Sequence, residues 1–229
     1  MRRTALLCVL VLMAVARDAR ASGLDLRLGA FAPRAEGTLF SDVQELYTVT
    51  KDDLRGFTGG VEYNLVVARN VEIGFHVDSY QRRVDTFYRD FTRPDGSEIQ
   101  QTLKVGIVPV GMSVRIVPTS KRTRFAPYVA GGVDLLVWEY EEFGDFIDFF
   151  DPELPIYADQ FRADGVAFGL HAAAGLRVYL NRDVALGLEG RYQWGEADMA
   201  DDFAPNEPGL VNRIDLSGTS LTFGLRVRF

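Results

Sequence analysis

From Leu221 to Phe229 the chain alternates without a break: Leu221, Phe223, Leu225, Val227 and Phe229 are apolar, and Thr222, Gly224, Arg226 and Arg228 stand between them. A repeat of two residues marks a β-strand with one apolar and one polar face. The pattern returns in seven earlier segments. Leu24, Leu26 and Leu28 alternate with Asp25, Arg27 and Gly29. Phe57, Val61, Tyr63 and Leu65 alternate with Thr58, Gly60, Glu62 and Asn64, and Val71, Ile73, Phe75 and Val77 with Glu72, Gly74, His76 and Asp78. A fourth strand spans about 102–117. Its phase slips near Pro109, because Lys104 and Gly106 are even-numbered polar positions whereas Gly111, Ser113 and Arg115 are odd. A bulge at Pro109 is expected to restore the facing. Strands at 125–138, 166–178 and 184–194 complete the set, and no helix of useful length or domain linker is expected.

The connections alternate in length. Those at 69–70, 118–124 and 181–183 are short; those at 33–55, 81–100, 139–163 and 196–213 are long. Beyond the N-terminus no run of 18 apolar residues offers a helical membrane span. Strands can cross lipid only as a closed barrel, since an open sheet edge leaves backbone groups unpaired in hydrocarbon. The expected fold is therefore an all-β, eight-stranded antiparallel up-and-down transmembrane barrel, with short turns at one end and long loops at the other.

Alternation alone does not say which face is inside. Glycine does: Gly29, Gly60, Gly74, Gly106, Gly111, Gly132, Gly169, Gly175, Gly187 and Gly224 all fall on the polar face, where only a crowded lumen explains them. Charge agrees. The acids Asp25, Glu62, Glu72, Asp78, Asp134 and Glu189 face the bases Arg27, Lys104, Arg115, Arg177, Arg191, Arg226 and Arg228, a near-balance that enclosed charges require. The lumen network is expected to rest on all of these except Asp25, Arg27 and Asp78. Tyr192 and Trp194 at the loop end, with Phe125 and Phe229 at the turn end, fit two interfacial girdles.

Residues 1–21 read as an export leader: Arg2 and Arg3, an apolar run from Ala5 to Ala16, and a small-x-small site at Ala19-Arg20-Ala21 that leaves the barrel as 22–229. The only cysteine, Cys8, lies in the leader, so no disulfide is expected in the barrel. The net charge of −7 and the lack of a basic run exclude nucleic acid as a partner.

The two histidines, His76 and His171, fall on the polar face and are expected to pack within the lumen network. No spacing in the sequence supplies three or four convergent metal ligands, so no metal, cofactor or catalytic residue is assigned. The segment 139–163 is the most acidic: Glu139, Glu141, Glu142, Asp145, Asp148, Asp151, Glu153 and Asp159 stand against Arg162, with Phe143, Phe146 and Phe149 among them. It is expected to be a solvated loop, able at most to hold a divalent cation loosely, because it lacks EF-hand spacing.

Two stretches, Leu225-Arg226-Val227-Arg228-Phe229 and Ala126-Pro127-Tyr128-Val129-Ala130-Gly131-Gly132-Val133, resemble the small outer-membrane β-barrel proteins, the OmpA transmembrane domain and OmpW-like group. The resemblance implies residence in the bacterial outer membrane, with its lipid and lipopolysaccharide as expected partners. It also implies that Phe223, Leu225, Val227 and Phe229 are the signal read by the barrel-insertion machinery. No enzymatic activity is expected, because His76, His171 and the acids of the strands face inward, away from the lipid-facing surface where a lipid-modifying Ser-His-acid site would sit. A narrow channel for small or hydrophobic solutes is the alternative role, and a lipid-modifying enzyme a more remote one.

Overall fold

The computed structural model describes residues 22–118, 123–149, 151–199 and 212–229. The expected leader, most of the 118–124 turn and much of the 196–213 loop lie outside them. The elements are β1 (Ser22–Pro33), α1 (Thr38–Leu46), β2 (Gly56–Ala68), β3 (Val71–Thr92), β4 (Glu98–Ile116), β5 (Phe125–Ile147), β6 (Ile156–Tyr179), β7 (Val184–Asp198), β8 (Arg213–Asp215) and β9 (Gly218–Arg228). Strands β1 to β7 and β9 form one antiparallel ring, in the order β6-β5-β4-β3-β2-β1-β9-β7, which the β6–β7 ladder closes. Closure removes the sheet edges from the ring itself, where every strand is laddered on both sides. Strand β8 is a short arm on the end of β7.

The barrel is turned inside out relative to a water-soluble one. Leu26, Leu28, Phe57, Val129, Leu135, Phe168, Leu188, Phe223 and Leu225 lie on the outer surface, exposed, while Asp25, Arg27, Glu62, Arg115, Arg177 and Arg226 are buried within. A continuous apolar band of this extent has no place in water and matches the lipid-facing belt of a membrane barrel.

Three features depart from the sequence reading. First, 81–100 and 139–163 are not loops. Strand β3 runs to Thr92 and β4 starts at Glu98; β5 runs to Ile147 and β6 starts at Ile156. The barrel wall therefore continues past the lipid belt as tall hairpins. Second, Pro109 carries no bulge. The β4–β5 ladder keeps one register from Gln101–Gly144 to Ile116–Val129, and Pro109 pairs with Leu136. What changes near Pro109 is the chemistry of each face. Below it, even-numbered residues of β4 are apolar and face lipid. Above it the outer face meets water and carries Lys104, while Leu103, Val105 and Ile107 turn inward and are buried. Third, a helix occurs inside the 33–55 connection. Leu39, Phe40 and Val43 form one buried face of α1, which contacts β3 and β8.

These inward apolar residues form a cap in the loop-end half of the barrel. Leu103, Val105 and Ile107 of β4 and Leu136, Trp138 and Tyr140 of β5 pack with Phe31, Tyr80, Tyr88, Ile214, Leu216 and the buried face of α1.

Candidate functional site

The turn-end half of the lumen holds a dense ionic network instead. Arg27 of β1 reaches Glu62 of β2 at 2.6 Å, both oxygens of Asp78 of β3 at 2.8 and 2.9 Å, and Glu189 of β7 at 3.1 Å. Arg191 joins Asp78 and Glu189, each at 3.1 Å. One layer nearer the turn end, Arg177 contacts Glu72 at 2.8 Å and Asp25 at 3.1 Å, and Arg226 contacts Asp25 at 3.2 Å and Glu72 at 3.3 Å. Arg115 links the layers. It lies 2.9 Å from Glu62 and 3.2 Å from Glu189, and donates to Asn64 Oδ1 at 2.6 Å. Tyr128 lies between two guanidinium groups, Arg115 at 4.5 Å and Arg177 at 4.8 Å from its ring centre, and its hydroxyl donates to Glu189. Shared carboxylates and multiple donors per guanidinium are the arrangement that offsets the desolvation of buried charge.

The structure thus brings together Glu62, Glu72, Arg115, Arg177, Glu189, Arg191 and Arg226. It adds Asp25, Arg27 and Asp78, left out of the network in the sequence reading although their positions on the polar face marked them. It corrects two placements. Lys104 is outside the barrel, where it pairs with Glu139 and Glu141, because the faces exchange chemistry above Pro109. Arg228 points inward but sits at the turn end over the Tyr179 ring and donates to its hydroxyl; among the described residues no carboxylate lies within 4.0 Å of it. Asp134 meets no arginine. Its oxygens face His76 Nε2 at 3.0 Å and His171 Nδ1 at 2.8 Å.

Between these groups little space is left. Two lumen cavities, of about 30 Å³ and about 20 Å³, border the network. Each has room for a water molecule or two by the roughly 10–15 Å³ that one water requires. Of the residues expected to form the insertion signal, Phe223, Leu225 and Val227 lie on the exposed outer face of β9, and Phe229, just past its end, is exposed as well.

The acidic 139–163 segment is largely committed to its own contacts. Glu139 and Glu141 pair with Lys104 on the outer wall, Arg162 lies 3.6 Å from Glu139, and Asp145 pairs with Arg93. Glu142 points into the cap, above the lipid belt, where it accepts a hydrogen bond from Tyr140. Burial pushes its carboxyl above the ordinary glutamate value despite the hydroxyls of Tyr140 and Tyr47. A raised folded-state value stabilises the cap fully below the ordinary glutamate range, and that contribution is lost as pH climbs through the folded value. Amide exchange at the β5–β6 tip, corrected for the intrinsic rate, is therefore expected to accelerate from acid to neutral pH in the native chain and much less in Glu142→Gln. Equal pH profiles would refute the assignment.

Comparison with known proteins places this architecture. The model of the outer membrane protein beta-barrel domain matches residues 4–229. Among solved structures, Neisserial surface protein A aligns with 93% of this chain and 100% of its own, at 14% identity and a TM-score of 0.50. Outer Membrane Protein W of E. coli aligns over 92% and 99%, at 16% identity and a TM-score of 0.46. A major outer membrane protein from Thermus thermophilus aligns over 92% and 100%, at 14% identity and a TM-score of 0.48. No curated protein sequence matches the chain.

Proposed function

Because the chain belongs to the outer membrane β-barrel domain family and resides in the bacterial outer membrane, we propose that it acts there as a closed, non-enzymatic barrel whose loop-end surface does its work. One observation carries this reading: among the described residues, ion pairs occupy one half of the lumen and the apolar cap the other, and the two cavities that border the ionic network measure about 30 and 20 Å³. An eight-stranded barrel has an interior just wide enough for its own side chains. The tall hairpins β3–β4 and β5–β6, rigidified by the cap, are then the exposed platform for interaction. The partners are lipid along the belt, lipopolysaccharide at the charged collar of Lys104, Glu139, Glu141 and Arg162, and the insertion machinery through Phe223 to Phe229 during assembly. Divalent cations bind loosely, through exposed carboxylates such as Asp159.

Planar-bilayer recording tests the reading against a channel. The reconstituted protein is expected to give no steady unitary conductance, in the unaltered chain or in Arg226→Gln. Discrete steps whose size changes in Arg226→Gln would replace it with a salt-bridge gate.

A further inference from the structure

Five lumen arginines, Arg27, Arg115, Arg177, Arg191 and Arg226, are matched by five carboxylates, Asp25, Glu62, Glu72, Asp78 and Glu189. Asp134 is the sixth acid, and only imidazoles serve it. It is buried, as are His76 and His171, and the two rings meet edge to face with centres 5.1 Å apart. The ligating atoms of the three residues all lie within 4.8 Å of one another.

The register builds this convergence from distant parts of the sequence. His76 of β3 pairs with Gly111 of β4, and Gly111 pairs with Asp134 of β5. Gly132, two residues before Asp134, pairs with His171 of β6. The glycines are required there. A Cβ on Gly111 would collide with Asp134 Oδ1, and one on Gly132 would stand 2.7 Å from His171 Cε1. The His171 Nδ1–Asp134 contact is a directed hydrogen bond, but His76 Nε2 lies 3.0 Å from Oδ1 off the bonding direction. Among the described protein atoms, both nitrogens of His76, Nε2 of His171 and Oδ1 of Asp134 have no hydrogen-bond partner despite their burial. Unpartnered buried polar atoms are costly, and four on one cluster of three residues point to a ligand.

We propose that His76, Asp134 and His171 form an intralumenal site for a single divalent first-row transition-metal ion, with Zn²⁺ the best fit. Two imidazoles and one carboxylate are donors of the type Zn²⁺ takes at about 2.0–2.2 Å, with a water completing four-coordination. The set is too poor in oxygen for Ca²⁺ and too rich in imidazole for Mg²⁺. The ion supplies the positive charge that Asp134 does not receive from an arginine and ties β3, β5 and β6 together across the barrel.

The chain has only two histidines, so their side chains report the site directly. Full-length protein refolded in detergent with a chelator, then freed of it, is titrated with Zn²⁺ by calorimetry, with imidazole NMR in parallel. One ion per chain is expected to bind. Both imidazole signals should shift together and stop shifting at one equivalent, and the unfolding midpoint should rise. His171→Gln and Asp134→Asn should each weaken binding by at least about tenfold, since even outer-shell partners of metal ligands are worth about 10–100-fold. Absence of saturable binding overturns the proposal. So does binding that leaves both imidazole signals unmoved, which assigns the ion to surface carboxylates. If the variants fail to fold, the NMR result on the unaltered chain decides alone.

Discussion

Replacing Arg115 by methionine is expected to lower the unfolding free energy by about 3–5 kcal/mol, the loss found when one partner of a buried ion pair is removed and the other is left uncompensated. Arg115 is 1% exposed and serves Glu62, which is fully buried, together with Glu189 and Asn64. Methionine fills much of the same volume, so packing against Tyr128 changes little and the loss reports mainly stranded carboxylate charge. Urea unfolding from lipid vesicles, followed by the fluorescence of Trp138 and Trp194, measures it. Adding Glu62→Gln should restore part of the loss, because the double variant no longer buries an unmatched charge. The exposed pair Arg213–Asp198 supplies the contrast, with an expected effect under about 1 kcal/mol when either partner is removed. A loss below that level for Arg115→Met would mean that water enters the network and screens it.

The lumen network was largely legible in the sequence because strand alternation is local information. Once Leu24 to Leu28 and Leu221 to Phe229 are assigned outward faces, Asp25, Arg27 and Arg226 must all face the lumen, whatever the pairing; the β1–β9 register then sets Asp25 beside Arg226. The His76–Asp134–His171 cluster was not legible, although each residue was known to face inward. Its convergence depends on the register of three ladders, and register is set by turns and total packing rather than by the residues themselves. The cap was missed for a different reason. Alternation between 139 and 147 gives Glu139, Glu141 and Phe143 on one face and Tyr140, Glu142 and Phe146 on the other, with charge on both. Nothing local says that the environment of the outer face has changed from hydrocarbon to water at Val137. The acidity of 139–163 therefore read as a solvated loop, and the Lys104 shift as a bulge, when both mark the same membrane boundary. The helix α1 escaped for want of signal, since nine residues with Gly37 before them and no side-chain N-cap carry little propensity. Packing of Leu39, Phe40 and Val43 against the cap holds it.

That boundary can be tested with two adjacent leucines. Leu135 and Leu136 are neighbours on β5, 54% and 0% exposed: one faces lipid, the other lies at the base of the cap. Truncation to alanine removes the same atoms from each. Both variants lose the transfer free energy of those atoms, about 2 kcal/mol at roughly 0.8 kcal/mol per methylene. Acyl chains close over the gap at Leu135, so its loss should end there. Leu136 packs over Gly169 and Gly195. Its Cδ1 lies 2.9 Å from the position a Cβ would take on Gly169, and closer still to that on Gly195. Strands pinned by ladders on both sides cannot collapse inward to refill that space, so Leu136→Ala adds a cavity term and should cost about 3–5 kcal/mol. The difference between the two residues, measured by unfolding from vesicles, isolates the rigidity of the interior from hydrophobicity itself. Equal losses would show that the cap relaxes like lipid and is not a rigid septum across the barrel.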